Sequence, residues 1–509
     1  YMLHVSITPK PRQYIVNDQK YIHLNKLVWK CTSKQISCLG HLDQMQILYE
    51  KAFYPKGLPL EYQDAISQLQ IDVDSTETPK SPIQCDEQYT IEIADQIYIT
   101  AKNLFGVSRA LATLSQMITE SPEQQYAPNQ YSIQKSSVAD KPVFKYRQLM
   151  VDAARHYLPL KTLRRQIEAL AISKMNVFHL HLIDTQSSAF KPFTQPADQF
   201  VKSGFKYGGI SYQFDRQNLL QLIAYAKSIG VFVLLEFDMP GHAKSWRLVN
   251  PAIVANCPNA GYSSVNPIVE ETFTYIKAFL TDLIYVFTEN QLTPMIHLGG
   301  DEVDHTCWNE DTEIFNWMRK EGITTSMMWQ RFHKKVGEII ETLNPDTVKF
   351  YWQESFENDN NMENSVIHSW NEETIVSKAA QRNINVIRSF GWYLDLNQPA
   401  EGRYAFQMSW MDFYAVDILA NIQPQYQKFV LGGGPCMWGE KVHNGNIDEQ
   451  IWPRSFAIAE ILWSNPPDRT ITNELKNRLS DSICQLLNIG IQTGAFRPYE
   501  PCPGAPGAR

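Results

Sequence analysis

Between residues 145 and 440 the sequence repeats one pattern eight times. A short apolar or β-branched run stops at a polar or aromatic residue, and a segment with room for a helix follows. The runs are "RQLMVD" ending at Asp152, "MNVFHLHLID" at Asp184, "VFVLLEFD" at Asp238 and "MIHLGGDE" at Glu302. Four more follow: "KFYWQE" ending at Glu354, "SVIHSW" at Trp370, "NVIRSFGWYLD" at Asp395 and "FVLGGGPCMWGE" at Glu440. Between them apolar residues recur at helical spacing, as in Leu163, Ile167, Leu170 and Ala171, or Leu219, Leu222, Ile223 and Ala226. Eight strands alternating with helices predict an α/β fold, a (β/α)8 TIM barrel. A doubly wound open sheet competes, but it carries a glycine-rich phosphate loop after its first strand. "VDAARHYLP" has no glycine there, which favours the barrel.

The barrel takes up residues 141–495. Residues 1–140 read as a smaller α+β domain in front of it, and residues 496–509, "RPYEPCPGAPGAR" with its preceding Phe, as a C-terminal tail. In the first domain "YTIEIADQIYIT" alternates like two strands joined by a turn at Ala94–Gln96. Leu104, Val107, Leu111, Leu114 and Ile118 then mark a helix that packs on that sheet. A chain of 509 residues, 44% hydrophobic and with net charge −8, has a large core and no general attraction for a polyanion such as nucleic acid. The basic cluster "KTLRR" at Lys161–Arg165 reads as a solvated helix face, and no apolar run is long enough to span a membrane. The opening "YMLHVSITPKPRQ" lacks the charged and apolar regions of a signal peptide, so a signal, if the chain had one, is expected to have been removed. Eight cysteines with no CxxC pair argue against a zinc ribbon or a thioredoxin-type site and are compatible with disulfides. There is no Asn-x-Ser/Thr sequon.

In a barrel every strand opens at its C-terminal end onto one mouth, so residues at those ends converge. Asp301 and Glu302, adjacent in "HLGGDEVDHTCW", therefore sit where paired carboxylates can do acid–base work, each discouraging ionisation of the other. Asp184, Asp238, Glu354, Asp395 and Glu440 share the rim. Trp352, Trp370, Trp392 and Trp438 fall at or beside strand ends and suggest a pocket wall. Carboxylates for hydroxyl groups and indoles for C–H faces make a carbohydrate site. His179 and His181 in "HLH", with His242 and Asp301, also form a possible metal set, but the first two precede their strand end and are expected inside the barrel as hydrogen-bonding histidines. His242 is better placed to face a substrate.

"RQLMVDAARHYLPL", "MNVFHLHLID", "EFDMPGH", "HLGGDEVDHTCW", "WQE", "GWYLD" and "CMWGE", in this order, resemble the β-N-acetylhexosaminidases of glycoside hydrolase family 20. The likeness spans essentially the whole chain and is greatest to the lysosomal β-hexosaminidase subunits. It implies an exo-acting enzyme that releases terminal, non-reducing, β-linked neutral N-acetylglucosamine or N-acetylgalactosamine with retention, the substrate's own acetamido group serving as nucleophile. No cofactor and no metal are implied. By resemblance Glu302 is the general acid, Asp301 holds the acetamido N–H and stabilises the oxazolinium, and Tyr393 donates to the acetamido oxygen. A pKa of Glu302 raised by neighbouring Asp301 would suit the acid role. Arg147 matches the arginine that grips the 3- and 4-hydroxyls, and Asp184 and His242 a pair beside the acid. Trp352, Trp370 and Trp438 match the indoles around the sugar, and Glu440 a carboxylate for the 4-hydroxyl. Asp395 and Leu396 stand where subunits that accept 6-sulfated sugars carry Asn-Arg, which implies a preference for neutral sugars.

The resemblance also implies disulfides Cys257–Cys307, Cys484–Cys502 and Cys38–Cys85, with Cys31 and Cys436 free, and hence lysosomal or secreted localisation. It implies a glycan or glycoconjugate as partner, and a homodimer. The chain departs from the family at Leu180 and Thr185, in the loop "SSAFKPF", and in the longer segment "NQPAEGRYAFQMSW". Two rivals remain at this stage, a metal-dependent amidohydrolase and a sugar-binding protein on an inactive barrel.

Overall fold

The computed structural model describes residues 6–120, 129–259, 263–358, 364–397 and 408–494. The expected tail, Cys502, and most of "NQPAEGRYAFQMSW" lie outside the described residues.

The N-terminal unit is one mixed sheet. Its strands are β1 (Gln13–Ser33), β2 (Ile36–Ser37), β3 (Ile66–Val73), β4 (Tyr89–Ile93), β5 (Ile97–Ala101), β6 (Thr119–Glu120) and β7 (Tyr131–Asp140). β4 and β5 are the expected hairpin, buried at every second residue. The helix Leu104–Met117 follows; the Asn103 side chain caps it by accepting from the N–H groups of Phe105 and Gly106. Nearly all of this helix is buried, because it is covered on both sides. One face meets β4 and β5, while Phe105 stacks on Phe232 of the barrel and Ser108 Oγ donates to the Ile229 carbonyl.

The eight barrel strands are β8 (Tyr146–Asp152), β9 (Val177–His181), β12 (Phe232–Glu236), β13 (Met295–His297), β14 (Val348–Trp352), β15 (Ser365–Ser369), β16 (Asn385–Arg388) and β17 (Val430–Gly433). A short hairpin outside the barrel, β10 (Phe205–Tyr207) with β11 (Ile210–Tyr212), lies between β9 and β12 in the chain. All eight barrel strands are parallel, and β17 pairs back onto β8 to close the ring. Beyond Pro435, β18 (Cys436–Met437) resumes the last run and also pairs with β8. Each of the eight runs holds its strand, except that β8 and β14 begin one residue earlier, yet most strands stop short of the last residue of the run. The polar residues therefore belong to the loops at the mouth. No helix among the described residues is long and apolar enough to cross a membrane.

Two buried polar clusters join the units beneath the barrel. Glu87, 1% exposed, accepts from Arg109 Nε at 2.7 Å, from Arg147 Nη2 at 2.7 and 2.8 Å, and from Asn176 Nδ2 at 3.1 Å. Asp140 accepts from Lys174 Nζ at 3.1 Å and from Tyr89 Oη and Trp463 Nε1 at 2.9 Å.

The disulfides correct one expectation. Cys257–Cys307 is present, but Cys38 bonds to Cys31, not Cys85. The chain reverses at Lys34–Gln35, and the register Thr32↔Ser37 brings Cys38 opposite Cys31 with the Cα atoms 5.0 Å apart. Cys85 is held instead beside Glu87 at the seam, and with Cys436 it carries a buried free thiol. Cys484 is disulfide-bonded, while its expected partner lies outside the described residues.

Candidate active site

The C-terminal ends of the strands surround a cavity of about 160 Å³. Arg155 reaches it from the loop after β8 and Asp184 from the loop after β9. His242 follows β12, and Asp301 and Glu302 follow β13. Trp352 ends β14, Trp370 follows β15, Tyr393 follows β16, and Trp438 and Glu440 follow β18. Thus Glu302, Asp301, Tyr393, Asp184, His242, Trp352, Trp370, Trp438 and Glu440 come together as expected, although they span more than half the chain.

Three expectations fail. Arg147 is fully buried at the opposite end of the barrel, bound to Glu87, because it stands at the head of β8 and only the strand's tail reaches the mouth. The arginine in the pocket is Arg155, which the strand-end rule would have found just beyond Asp152. Trp392 turns into the core and donates to the Phe413 carbonyl. Asp395 is not part of the lining, although it is near enough to Glu440 for that charge to act on it.

The loop after β13 depends on its two glycines. Gly299 and Gly300 have φ of 64° and 97°, and a Cβ on Gly299 would fall 1.7 Å from Asp238 Oδ1. That close approach lets Asp238 accept from the Gly300 N–H at 3.2 Å and fixes the turn that delivers Asp301. Glu302 and His242 themselves have φ of 48° and 51°, left-handed conformations that non-glycine residues keep where the surroundings hold them.

The walls are set by second contacts. Trp370 Nε1 donates to both oxygens of Glu354 at 3.1 Å, and Trp352 Nε1 donates to Glu236 at 2.9 Å. The Arg155 guanidinium lies 5.0 Å over the Trp438 ring, 2.8 Å from Asp184 and 3.7 Å from Glu440.

Charge in the site differs from what neighbours in sequence suggest. Glu302 is held below the usual range of a glutamate, first by its hydrogen bond to His242, whose Nε2 lies 3.4 Å from Oε2. It is Asp301 that is pushed up, to about 6, chiefly by burial. Asp238 behind it is raised well above the normal value by burial and then by Asp301. Burial opposes the charge of His242, but hydrogen bonds to Asp184 and Glu302 outweigh it, and the imidazolium is favoured. The expectation that Asp301 raises Glu302 is therefore corrected: a cation 3.4 Å away outweighs an adjacent carboxylate.

Among the described residues, three groups have donor atoms close enough to share a cation: His179, Glu236 and His297; His181, Asp184 and Asp238; Asp238, His242 and Asp301. In the first two, histidine nitrogens already lie 2.9 Å from the carboxylates, His179 on Glu236 and His181 on Asp184. These donors are engaged with each other inside the barrel.

Comparison with known proteins agrees with this geometry. Residues 144–466 match the family described as glycosyl hydrolase family 20, catalytic domain, and residues 7–117 match a domain described as beta-acetyl hexosaminidase like. The chain is 32% identical over 426 residues to β-hexosaminidase subunit A1 of Dictyostelium discoideum, covering 82% of this chain and 76% of that protein. It is 34% identical over 426 residues to β-hexosaminidase subunit alpha of Bos taurus, covering 80% and 76%. In fold it resembles an exo-β-N-acetylglucosaminidase of Vibrio harveyi solved with N-acetylglucosamine, at TM-score 0.81 and 21% identity over 97% of this chain and 79% of the other.

Proposed function

The chain belongs to glycosyl hydrolase family 20, and from that premise we propose how its pocket performs the family's reaction. The protein is an exo-β-N-acetylhexosaminidase that works with retention and substrate assistance. The observation that carries the residue assignments is the convergence of Asp301, Glu302 and Tyr393 in one small, tryptophan-walled cavity. A cavity of this size accepts one terminal sugar, which fits exo action.

In the first step Glu302 protonates the glycosidic oxygen while the acetamido oxygen attacks the anomeric carbon from the opposite face. The bond to the leaving group breaks, and a cationic oxazolinium forms. Asp301 accepts the acetamido N–H and, once ionised, balances that positive charge in a site with little water. The Tyr393 hydroxyl donates to the acetamido oxygen and holds it in line. In the second step Glu302, now a carboxylate, takes a proton from a water that attacks the same carbon, and the bond from that carbon to the oxazolinium oxygen breaks to restore the acetamido group. Arg155, with Glu440, takes the hydroxyl-binding role first expected of Arg147. Trp352, Trp370 and Trp438 exclude water and pack on the sugar's C–H faces.

Where subunits that accept 6-sulfated sugars carry Asn-Arg, this chain has Asp395 and Leu396, so no guanidinium stands there to pair with a sulfate. Activity on a 6-sulfated N-acetylglucosaminide is expected to be at least ~10-fold below that on the neutral sugar, since a desolvated sulfate without a cationic partner costs more than about a kcal/mol. Equal kcat/KM on the two 4-methylumbelliferyl substrates would refute this expectation.

A lysosomal or secreted location and a homodimer complete the proposal. The Cys31–Cys38 and Cys257–Cys307 bonds support folding in an oxidising compartment. An acidic working environment is supported by the buried carboxyls. Burial, first among the causes, pushes Asp301 to about 6, Asp395 to about 7 and Glu354 to about 8. Each keeps a proton in the folded state that the unfolded chain loses near pH 4, so stability falls as pH rises through that window. His181 and His242, raised in the fold, add stability that is present below about pH 6.5 and lost above it. Asp184, Glu236 and Glu87 are held low, so their contribution is lost only below about pH 4. The melting temperature is expected to peak near about pH 4 to 5 and to fall steadily towards pH 8. A scan that is flat or rising from pH 5 to 8 would contradict this.

A further inference from the structure

Beneath the pocket, inside the barrel, the polar side chains do not merely fill space. Glu236, the last residue of β12, is fully buried, and its Oε2 lies 2.9 Å from His181 Nδ1. The other nitrogen of the same ring, Nε2, lies 2.9 Å from Asp184 Oδ2. Asp184 uses its second oxygen, Oδ1, for His242 Nδ1 at 3.1 Å, and His242 Nε2 faces Glu302 Oε2 at 3.4 Å. The four inner members are each 4% exposed or less; Asp184, His242 and Glu302 line the pocket, and Glu236 and His181 lie beneath it. From the core outward the charges alternate: carboxylate, imidazolium, carboxylate, imidazolium, carboxylate.

We propose that Glu236 and His181, which line no part of the sugar pocket, are positioning residues for the catalytic proton of Glu302, acting through Asp184 and His242. The inference rests on the reading of Glu302 as the acid. In the free site the proton lies on His242, next to an ionised Glu302. When a sugar expels water from the half-exposed Glu302, the pair of charges at 3.4 Å is favoured less than the neutral pair. One proton then passes from His242 Nε2 to Glu302 Oε2, leaving a neutral imidazole and a carboxylic acid ready to protonate the leaving group. Whether His242 releases it depends on how strongly Asp184 holds the imidazolium. His181 and Arg155 both bind Asp184 Oδ2 and draw its charge away from His242.

Glu236 is what keeps His181 positively charged in a dry interior. Burial acts against that charge, and Glu236 leads the groups that outweigh it. The other groups facing the relay are His179 at 2.9 Å and His297 at 3.4 Å from Glu236, Asp152 beside Arg155 and His181, and Asp238 and Asp301 beside His242. None of these lies between Glu236 and His181. Without Glu236, His181 becomes neutral, Asp184 binds His242 more tightly, and the proton stays on the wrong side of the pair.

The test compares leaving groups. N,N′-diacetylchitobiose needs its leaving sugar protonated, whereas 2,4-dinitrophenyl N-acetyl-β-glucosaminide does not, and kcat/KM reports the bond-breaking step on both. Glu236→Gln is expected to lower kcat/KM on chitobiose by about 10- to 100-fold, a part of the 10²–10⁴ available to general acid catalysis, and by less than about threefold on the dinitrophenyl substrate. Glu302→Gln serves as reference and is expected to give the same asymmetry on a larger scale. Equal losses on both substrates, or no loss on either, in Glu236→Gln would overturn the proposal while leaving Glu302 as the acid. Symmetric losses in Glu302→Gln would overturn the reading beneath it. Should Glu236→Gln not fold, His181→Gln decides by the same ratio. If neither folds, the pair is a stability element and the proposal is wrong.

Discussion

Glu302→Gln is expected to lower kcat/KM for 4-methylumbelliferyl N-acetyl-β-glucosaminide by about 10³-fold, within the range general acid–base catalysis contributes. The amide keeps the shape of the side chain and can still meet His242, so the loop after β13 and its left-handed backbone should survive. What disappears is the proton for the leaving oxygen and, in the second step, the base for water. Asp301, Tyr393 and the tryptophans remain, so a competitive N-acetylglucosamine analogue should bind the variant about as well as the wild type. Loss of turnover with retained binding assigns Glu302 to chemistry and not to sugar recognition. A variant within tenfold of wild type would send the search for the acid elsewhere in the cavity. A wild-type protein that binds the sugar without turning it over would instead mean that the barrel serves as a receptor.

The largest stability effect is expected far from the mouth. Glu87→Ala should destabilise the protein by about 3–5 kcal/mol, the usual cost of leaving one side of a buried ion pair without its partner. The substitution strands the guanidinium groups of Arg109 and Arg147, both fully buried, with no carboxylate between them. Glu87 precedes β4, Arg109 sits in the helix Leu104–Met117 and Arg147 belongs to β8, so the N-terminal sheet would loosen from the barrel first. Urea unfolding followed by tryptophan fluorescence measures the loss. Asp74→Ala, which breaks the exposed pair with Lys102, is the control and should leave the midpoint where it was. A Glu87→Ala midpoint as close to wild type as the control's would mean that the seam is held by packing alone. Activity per folded molecule should change little, since the cluster lies at the other end of the strands from the pocket.

The misplacement of Arg147 shows where reading along the chain goes astray. Arg147 lies at the start of β8 and Arg155 just beyond its end, and strand direction decides that one meets the seam and the other the pocket. The strand-end rule that located Asp184, Glu302 and Trp438 also separates these two arginines when it is applied to both. Trp392 is a different case. It follows its strand like Trp370 and Trp438, and only the packing of the helix Trp410–Ala415 behind it shows that its N–H is satisfied in the core. Cys31 and Cys38 depend on a reversal at Lys34–Gln35, two residues with φ of 49° and 70° that no glycine or asparagine announces.

The sequence by itself determined the number and order of the barrel strands, the hairpin and helix ahead of them, and the set of acids and indoles at the mouth. These are properties of periodicity and of which residue ends each run, and both are local. Only the tertiary structure decided which groups share a proton. Glu302 has Asp301 as its neighbour along the chain, yet its charge answers to His242 from another loop. Coulomb interactions fall with distance through space and grow as water is removed, and neither quantity is written in the spacing of residues. The same holds for Glu236 and His181. As letters, Glu236 ends one apolar strand and His181 is the second of two histidines in another; in the folded barrel they are buried and 2.9 Å apart, beneath the acid.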